Sequence, residues 1–233
     1  MEEKSISTIG RGAGEDSTYF CRAKEIETIS IDNIMIELNE EVYKPSDDTY
    51  IVVDAFNEVL HRSKRLINLL IEVGSGSGYI TISILKTMLL RSMPHAILID
   101  ISPCAVTSSW NSIKLNDLDM YSDVIQCDGL SCIRSFVADI IVFNPPYLPV
   151  EDSGSWLARS WSGGIDGLSV WLKFFEESLD RCKHSICTII FTLSTLQNIE
   201  KALGSLGKNC IAVDFYKCKS FFFETICVVG CNR

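Results

Sequence analysis

An α/β fold, with a mostly parallel seven-stranded sheet, one antiparallel strand near its end and helices on both faces, is predicted by three observations. From about residue 43 onward, strand-like apolar runs alternate with helical stripes, the rhythm of a parallel sheet threaded by crossover helices. The glycine-rich stretch Glu72-Val73-Gly74-Ser75-Gly76-Ser77-Gly78 ends the first of those runs and opens a helix. The last two runs are joined only by Lys217–Phe222, too short for a parallel crossover but long enough for antiparallel neighbours.

The first helix is placed at Asp47–Arg62, where Val52, Val53, Phe56, Val59 and Leu60 form one apolar stripe. Ser46 suits its N-cap, and Asp47 and Asp48 suit the positive end of its dipole. Strand-like runs follow at Ile67–Val73, His95–Ile101, Asp123–Cys127, Val137–Phe143, Ser185–Leu193, Cys210–Tyr216 and Phe223–Gly230. Helical stripes lie between them: Ile80, Ile84, Leu85 and Met88; Val106, Trp110 and Ile113; Leu168, Trp171, Leu172, Phe175 and Leu179; Leu196, Ile199 and Leu203. Ser102-Pro103 is a favourable helix start, and Gly207 suits a C-cap. Residues 1–42 break the rhythm. Ile29 and Ile31, then Ile34, Ile36 and Leu38, alternate around Asp32-Asn33 as in a hairpin, while Gly10 to Ser17 reads as flexible lead-in. The chain thus divides into an N-terminal extension over 1–42 and one domain over 43–233.

Composition bounds the function. With 233 residues, 47% of them hydrophobic, the chain can bury a sizeable core. A net charge of -9 should repel a phosphate backbone, which lowers the expectation of a nucleic-acid partner. Met1-Glu2-Glu3-Lys4 lacks the features of a secretion signal, and no apolar run approaches the roughly 20 residues that span a bilayer. A soluble intracellular protein, cytoplasmic with a nuclear presence compatible, is expected. Ten cysteines without a Cys-x-x-Cys pair are read as reduced and mostly buried, and three dispersed histidines offer no metal-ligand spacing, so no metal is expected.

Chemistry concentrates at the strand ends. Asn144-Pro145-Pro146-Tyr147 follows directly on a buried strand, where an amide, two prolines and an aromatic make poor core. The prolines stiffen the turn and donate no N–H, so their carbonyls stay free to accept. With the Asn144 carbonyl and the Tyr147 face, these residues can grip an sp² nitrogen carrying two hydrogens; a proline-rich turn is the plain alternative. The glycine loop lacks both the dinucleotide spacing and the lysine of a phosphate-binding loop, so it fits a ligand without phosphates. Asp100, 26 residues after Gly74, is placed to accept from both ribose hydroxyls, and Asp128 to take the exocyclic amine of an adenine. In a parallel sheet Gly74, Asp100, Asp128 and Asn144 converge on one edge. Adenosine, no phosphate and an adjacent nitrogen acceptor together describe S-adenosylmethionine.

On these residues the chain resembles the class I S-adenosylmethionine-dependent methyltransferases of Rossmann-like fold. More narrowly, it is similar to the release-factor glutamine methyltransferases, the HemK-related family in its eukaryotic and archaeal branch. The resemblance runs from Tyr43 to about Val229. It rests on Tyr43-Lys44-Pro45-Ser46-Asp47-Asp48-Thr49, the Glu72–Gly78 loop, Asn144–Tyr147 and Trp161-Ser162-Gly163-Gly164-Ile165-Asp166-Gly167. It implies that Thr49, Glu72, Gly74, Gly76, Asp100, Asp128, Gly129 and Asn144 bind the cofactor, and that Asn144, Pro145 and Tyr147 hold a substrate glutamine amide. It also implies the Gly-Gly-Gln loop of a class 1 release factor as substrate, and a small zinc-binding activator subunit as partner in a heterodimer. The apolar rim of the Asp123–Cys127 strand (Leu115, Leu118, Met120, Val124, Ile125) is a candidate surface for that subunit. Three departures stand out: Asp47 where the family usually has Glu, Leu168 where Arg is frequent and which bears on substrate-side contacts, and a long lead-in before Tyr43. N6-methylation of adenine in DNA or RNA requires the same grip and remains a rival, as does a non-catalytic cofactor-binding scaffold. Between Pro149 and Gly167, Arg159 is the only basic residue, against Glu151, Asp152 and Asp166, which favours a protein substrate over a flipped base.

Overall fold

The computed structural model describes residues 20–62, 66–89, 93–134, 138–152, 154–183 and 186–233. The stretch from Gly10 to Ser17 lies outside them. Seven strands form the sheet in the order β5 (Ser122–Gln126), β4 (His95–Asp100), β3 (Leu69–Val73), β6 (Ile140–Phe143), β7 (Thr188–Ser194), β9 (Thr225–Asn232), β8 (Ala212–Ser220). Only β9 runs antiparallel to its neighbours, β7 and β8. The expected mostly parallel sheet with one reversed strand is therefore what forms.

Strand alternation supplies two cores. Leu70, Leu98, Ile140, Val142 and Ile190 face one side, where they pack with Ile51, Val52 and Phe56 of α1 (Asp47–Arg62), Ile80 and Ile84 of α2 (Tyr79–Met88) and Ile113 of α3 (Pro103–Leu115). Ile71, Ile99, Ile141, Phe143 and Phe191 face the other, against Trp171 and Phe175 of α5 (Ser169–Arg181) and Ala202 and Leu206 of α6 (Ile199–Asn209). Burial of both faces explains why these strands read as continuous apolar runs. A short helix, α4 (Trp156–Arg159), precedes α5.

An antiparallel hairpin, β1 (Ile26–Ile31) and β2 (Ile34–Asn39), turns at Asp32 and Asn33, whose φ values of 48° and 63° suit those residue types. Ile34, Ile36 and Leu38 of β2 are buried in the α1–α3 core. The outer edge of β2 is met by α3: Ser112 Oγ accepts from the Glu37 amide at 3.0 Å, and the Asn116 side chain bonds both the amide and the carbonyl of Met35.

Several expectations need correction. The ten cysteines, read as separate buried thiols, lie together in five adjacent pairs: Cys21–Cys104, Cys127–Cys132, Cys182–Cys187, Cys210–Cys231 and Cys218–Cys227. Their spacing hides this, because register and packing create the pairs; Cys218 and Cys227, for instance, are cross-strand partners on β8 and β9. Gly207 does not end α6, which continues to Asn209 and is capped at Cys210. Ser46 holds the N-cap position, its carbonyl accepting from the Tyr50 amide at 2.9 Å, but its hydroxyl donates to Asp48 Oδ1 at 2.7 Å and caps no helix amide. Leu118 is buried and no part of an exposed rim. Of the run Val137–Phe143, Val137 lies outside the described residues and the strand starts at Ile140, with the Asp139 carboxylate accepting from the Asn68 and Leu69 amides at 2.7 and 3.1 Å at the start of β3. Strand β8 continues beyond Tyr216 through a bulge between Phe215 and Lys217, and the Tyr216 ring lies over Gly230, where any Cβ would clash at 2.5 Å.

Candidate active site

The carboxyl ends of β4, β3 and β6 lie side by side, so their loops share one edge of the sheet. After β3 the chain turns through Gly74, Gly76 and Gly78, with φ of 74°, 54° and 79°, a region that side chains other than glycine strain to enter. The Gly76 amide donates to Asp100 Oδ2 at 2.9 Å, and the Ser102 amide to Asp100 Oδ1 at 2.9 Å. Ser102 in turn caps α3 by accepting from the Ala105 amide at 3.3 Å, with Pro103 in the first helical turn, as expected. Burial pushes the Asp100 carboxyl above its ordinary range, against the pull of those amides.

A cavity of about 430 Å3 opens over this edge. Thr49, Glu72, Gly74, Gly76, Asp100, Asp128, Gly129 and Asn144 all line it. A second cavity of about 170 Å3 is lined by Tyr43, Asp48, Asn144, Pro145, Tyr147 and Trp161. Asn144 borders both cavities, and the candidate residues are thereby brought together without exception.

The larger cavity is acidic. Among its described lining residues, four carboxylates (Glu41, Asp100, Asp128 and Asp152) and the buried carboxyl of Glu72 face two cations, Arg159 and Lys173. Both cations are engaged: Lys173 Nζ lies 2.5 Å from Asp128, and Arg159 Nε 2.7 Å from Asp152, with its guanidinium 4.6 Å from the Trp156 ring centroid. Such a lining disfavours phosphates and suits a cationic ligand. Glu72 is 1% exposed, and burial raises its pKa to about 8 even though Thr81 donates to it from its amide at 3.1 Å and its hydroxyl at 2.5 Å.

The smaller cavity is built on Asn144. Its Nδ2 donates to Asp48 Oδ2 at 3.1 Å, and its Oδ1 accepts from Thr192 Oγ1 at 2.6 Å. Burial, then the charges of Asp48 and Glu224, holds the Tyr147 phenol far above its ordinary range, while burial and Asp48 lift Tyr43 to about 12. Both phenols therefore stay neutral donors. The Trp161–Gly167 segment packs directly behind: a Cβ on Gly167 would lie 2.5 Å from the Tyr147 carbonyl oxygen, and one on Gly163 would lie 2.7 Å from the Gly167 oxygen. These close approaches explain why the motif needs glycine there. Leu168 is wholly buried and packs in the α5 core.

Sequence reasoning missed four participants. Thr192 lies within a core strand and carries no motif. Asp48 was explained by the helix dipole alone. Glu224 accepts from Ser194 Oγ at 2.5 Å and from Tyr147, but sits in a hairpin turn. Lys173, the partner of Asp128, lies outside every motif and outside the apolar stripe of α5. Only Asp48, inside a quoted motif, carried a usable signal.

Residues 49–157 match the family model described as the methyltransferase small domain. The chain is 33% identical over 183 residues to the eRF1 methyltransferase catalytic subunit mtq2 of Schizosaccharomyces pombe, covering 65% of this chain and 78% of that one. It is 28% identical over 152 residues to a putative protein N5-glutamine methyltransferase of Methanocaldococcus jannaschii, covering 64% and 71%. Among solved structures, the E. cuniculi Mtq2-Trm112 complex, described as responsible for methylation of the eRF1 translation termination factor, superposes with a TM-score of 0.59 at 20% identity, over 83% of this chain and 99% of that one. The T. thermophilus 16S rRNA N2 G1207 methyltransferase, bound to AdoMet and guanosine, gives 0.59 at 12% identity, over 90% and 50%. With its class I methyltransferase fold and this sequence kinship, the chain belongs to the release-factor glutamine methyltransferase family, the HemK-related methyltransferases.

Proposed function

We propose that the protein uses S-adenosylmethionine to methylate N5 of a protein glutamine, that of the Gly-Gly-Gln loop in the class 1 translation release factor. The observation that carries this reading is the position of Asn144 on the wall between an acidic, nucleoside-sized cavity and a small aromatic one. The larger cavity fits the cofactor: Asp100 would take the ribose hydroxyls, Asp128 and Gly129 the adenine edge, and Glu72, Gly74, Gly76 and Thr49 the remainder. When bound, S-adenosylmethionine supplies an electrophilic methyl on a sulfonium leaving group.

The protein's work is then on the acceptor. An amide nitrogen is a poor nucleophile because its lone pair is delocalised into the carbonyl. Asn144 Oδ1 and the Pro145 carbonyl accept its two N–H bonds, hold its plane and draw electron density towards nitrogen. Tyr147 packs on the amide face, with its hydroxyl tied to Glu224. Neither Tyr147 nor Tyr43 acts as a base near neutral pH, since both phenols are held protonated. As the C–S bond breaks and the N–C bond forms, the nitrogen becomes acidic and loses one of its two protons to water, so catalysis rests on positioning.

Adenine methylation is disfavoured by the mouth. Arg159, the basic residue of the 149–167 segment, is committed to Asp152 and Trp156 and is not free for a phosphate. A substrate of the translation machinery places the enzyme in the cytoplasm. We assign the methyltransferase domain to 43–233, with residues 1–42 as its extension. The partner is a small zinc-binding subunit seated along β5, a sheet edge beside the exposed side chains of Leu115, Met120 and Tyr121. The test is incubation with labelled cofactor and either release factor, its Gln→Ala variant, or DNA and RNA. Label is expected on the intact factor alone; label on the variant, or only on nucleic acid, overturns the assignment.

A further inference from the structure

An asparagine amide can present either its oxygen or its NH2 group to a neighbour, and a half-turn about its last bond exchanges the two with little change of shape. Shape alone therefore does not decide which one Asn144 offers the acceptor. Its partners do. Asp48 lies 96 positions away in sequence, is 5% exposed, and takes Asn144 Nδ2–H on its Oδ2 at 3.1 Å. A carboxylate only accepts, so it cannot face the amide oxygen without repulsion. Asp48 itself is held firmly: its Oδ1 receives the Thr49 amide at 2.8 Å, the Ser46 hydroxyl at 2.7 Å and the Tyr43 hydroxyl at 3.3 Å. On the other side, Thr192 donates to Asn144 Oδ1 at 2.6 Å from the buried end of β7. A carbonyl oxygen carries two lone pairs, so one remains for the substrate N–H.

We infer that Asp48, seconded by Thr192, is a positioning residue that sets the sense of the Asn144 amide, oxygen towards the acceptor. The inference rests on the proposed glutamine transfer for its catalytic consequence, and on geometry alone for the orientation. The start of α1 thereby acts on the chemistry at the end of β6. The carboxylate also polarises the amide and makes its oxygen a better acceptor.

The test combines kinetics with a readout that needs no substrate. Asp48→Asn offers Asn144 an NH2 group and frees it to turn. Losing one charge-assisted hydrogen bond should lower kcat roughly 10- to 100-fold, with the cofactor dissociation constant, by calorimetry, within about threefold. Asn144→Asp sets two carboxylates against each other, whereas Asp48→Asn combined with Asn144→Asp restores one donor–acceptor pair. The double variant should recover at least about tenfold over Asn144→Asp, a gain that no merely structural role of Asp48 produces. Asp47→Asn, on the same helix end but exposed, controls for the dipole and should leave kcat unchanged. Thr192→Val, with Thr192→Ser as its conservative counterpart, keeps the question open to refutation if Asp48→Asn fails to fold: Val should lose kcat and Ser retain it. Independently, hydrogen exchange of the Asn144 side-chain amide, followed by NMR, should speed up at least about tenfold in Asp48→Asn. Unchanged exchange, or a double variant no better than Asn144→Asp, overturns the inference. Faster exchange in a protein that does not methylate glutamine overturns the functional reading and leaves the orientation standing.

Discussion

Glu72 offers a direct thermodynamic test of the cavity floor. Its carboxyl is 1% exposed, and burial lifts its pKa from an ordinary 4.5 to about 8. The native state thus keeps a proton that the unfolded chain surrenders. Stability linked to this group is full below about pH 4.5 and is lost as pH rises from there to about 8. Each unit of difference is worth about 1.4 kcal/mol, so the loss between pH 5 and pH 8 is on the order of 3 kcal/mol. Glu72→Gln has the same shape, can still accept from the Thr81 amide and hydroxyl, and carries no titrating proton. Urea unfolding of both proteins between pH 5 and pH 8 separates this group from the rest, since the difference of the two curves cancels every carboxyl they share. The wild type should fall towards the variant and below it as pH rises. Parallel curves would show that Glu72 is hydrated or ion-paired, and that burial does not hold its proton.

Three further outcomes follow from packing. Gly129→Ala should cost about 1–3 kcal/mol in thermal unfolding and weaken cofactor binding, because φ is 60° and the new Cβ would lie 2.3 Å from Glu177 Oε2, the acceptor of the Leu130 amide. Phe191→Ala removes a ring that meets Phe143, Trp171 and Phe175 at 5.2–5.7 Å and should lower stability by about 3–5 kcal/mol in urea melts. Met120→Glu, at a residue 81% exposed beside the β5 edge, should abolish co-purification with the proposed activator subunit while leaving the isolated chain folded; an intact complex would move the interface elsewhere.

The fold was legible because its signals are local and repeated. Leu70-Ile71, Ile140-Ile141 and Ile189-Ile190 sit in short continuous apolar runs separated by helical stripes, so the strands are located by those runs, and the short link between β8 and β9 exposes the one reversed strand. The site was legible because a parallel sheet delivers all its carboxyl ends to one edge. What escaped depends on register or on distant packing. Cys218 meets Cys227 only through the β8–β9 ladder. Asp48 lies in the Tyr43–Thr49 motif, which marks it, but a helix-dipole role explains it well enough that the sequence does not point from it to Asn144. Gly207 looks like a C-cap, yet the apolar anchor Leu206 and the polar turn beyond it let α6 run on to Asn209. Asp128 reads as a free carboxylate until α5 brings Lys173 to it.

The central claim is that the side chain between the two cavities grips the acceptor and does little to hold the cofactor. Steady-state turnover and cofactor calorimetry on Asn144→Ala test it most directly. Turnover should fall about 100-fold or more, while the cofactor dissociation constant stays within about tenfold. Turnover close to wild type, or a loss explained wholly by weaker cofactor binding, would contradict the account.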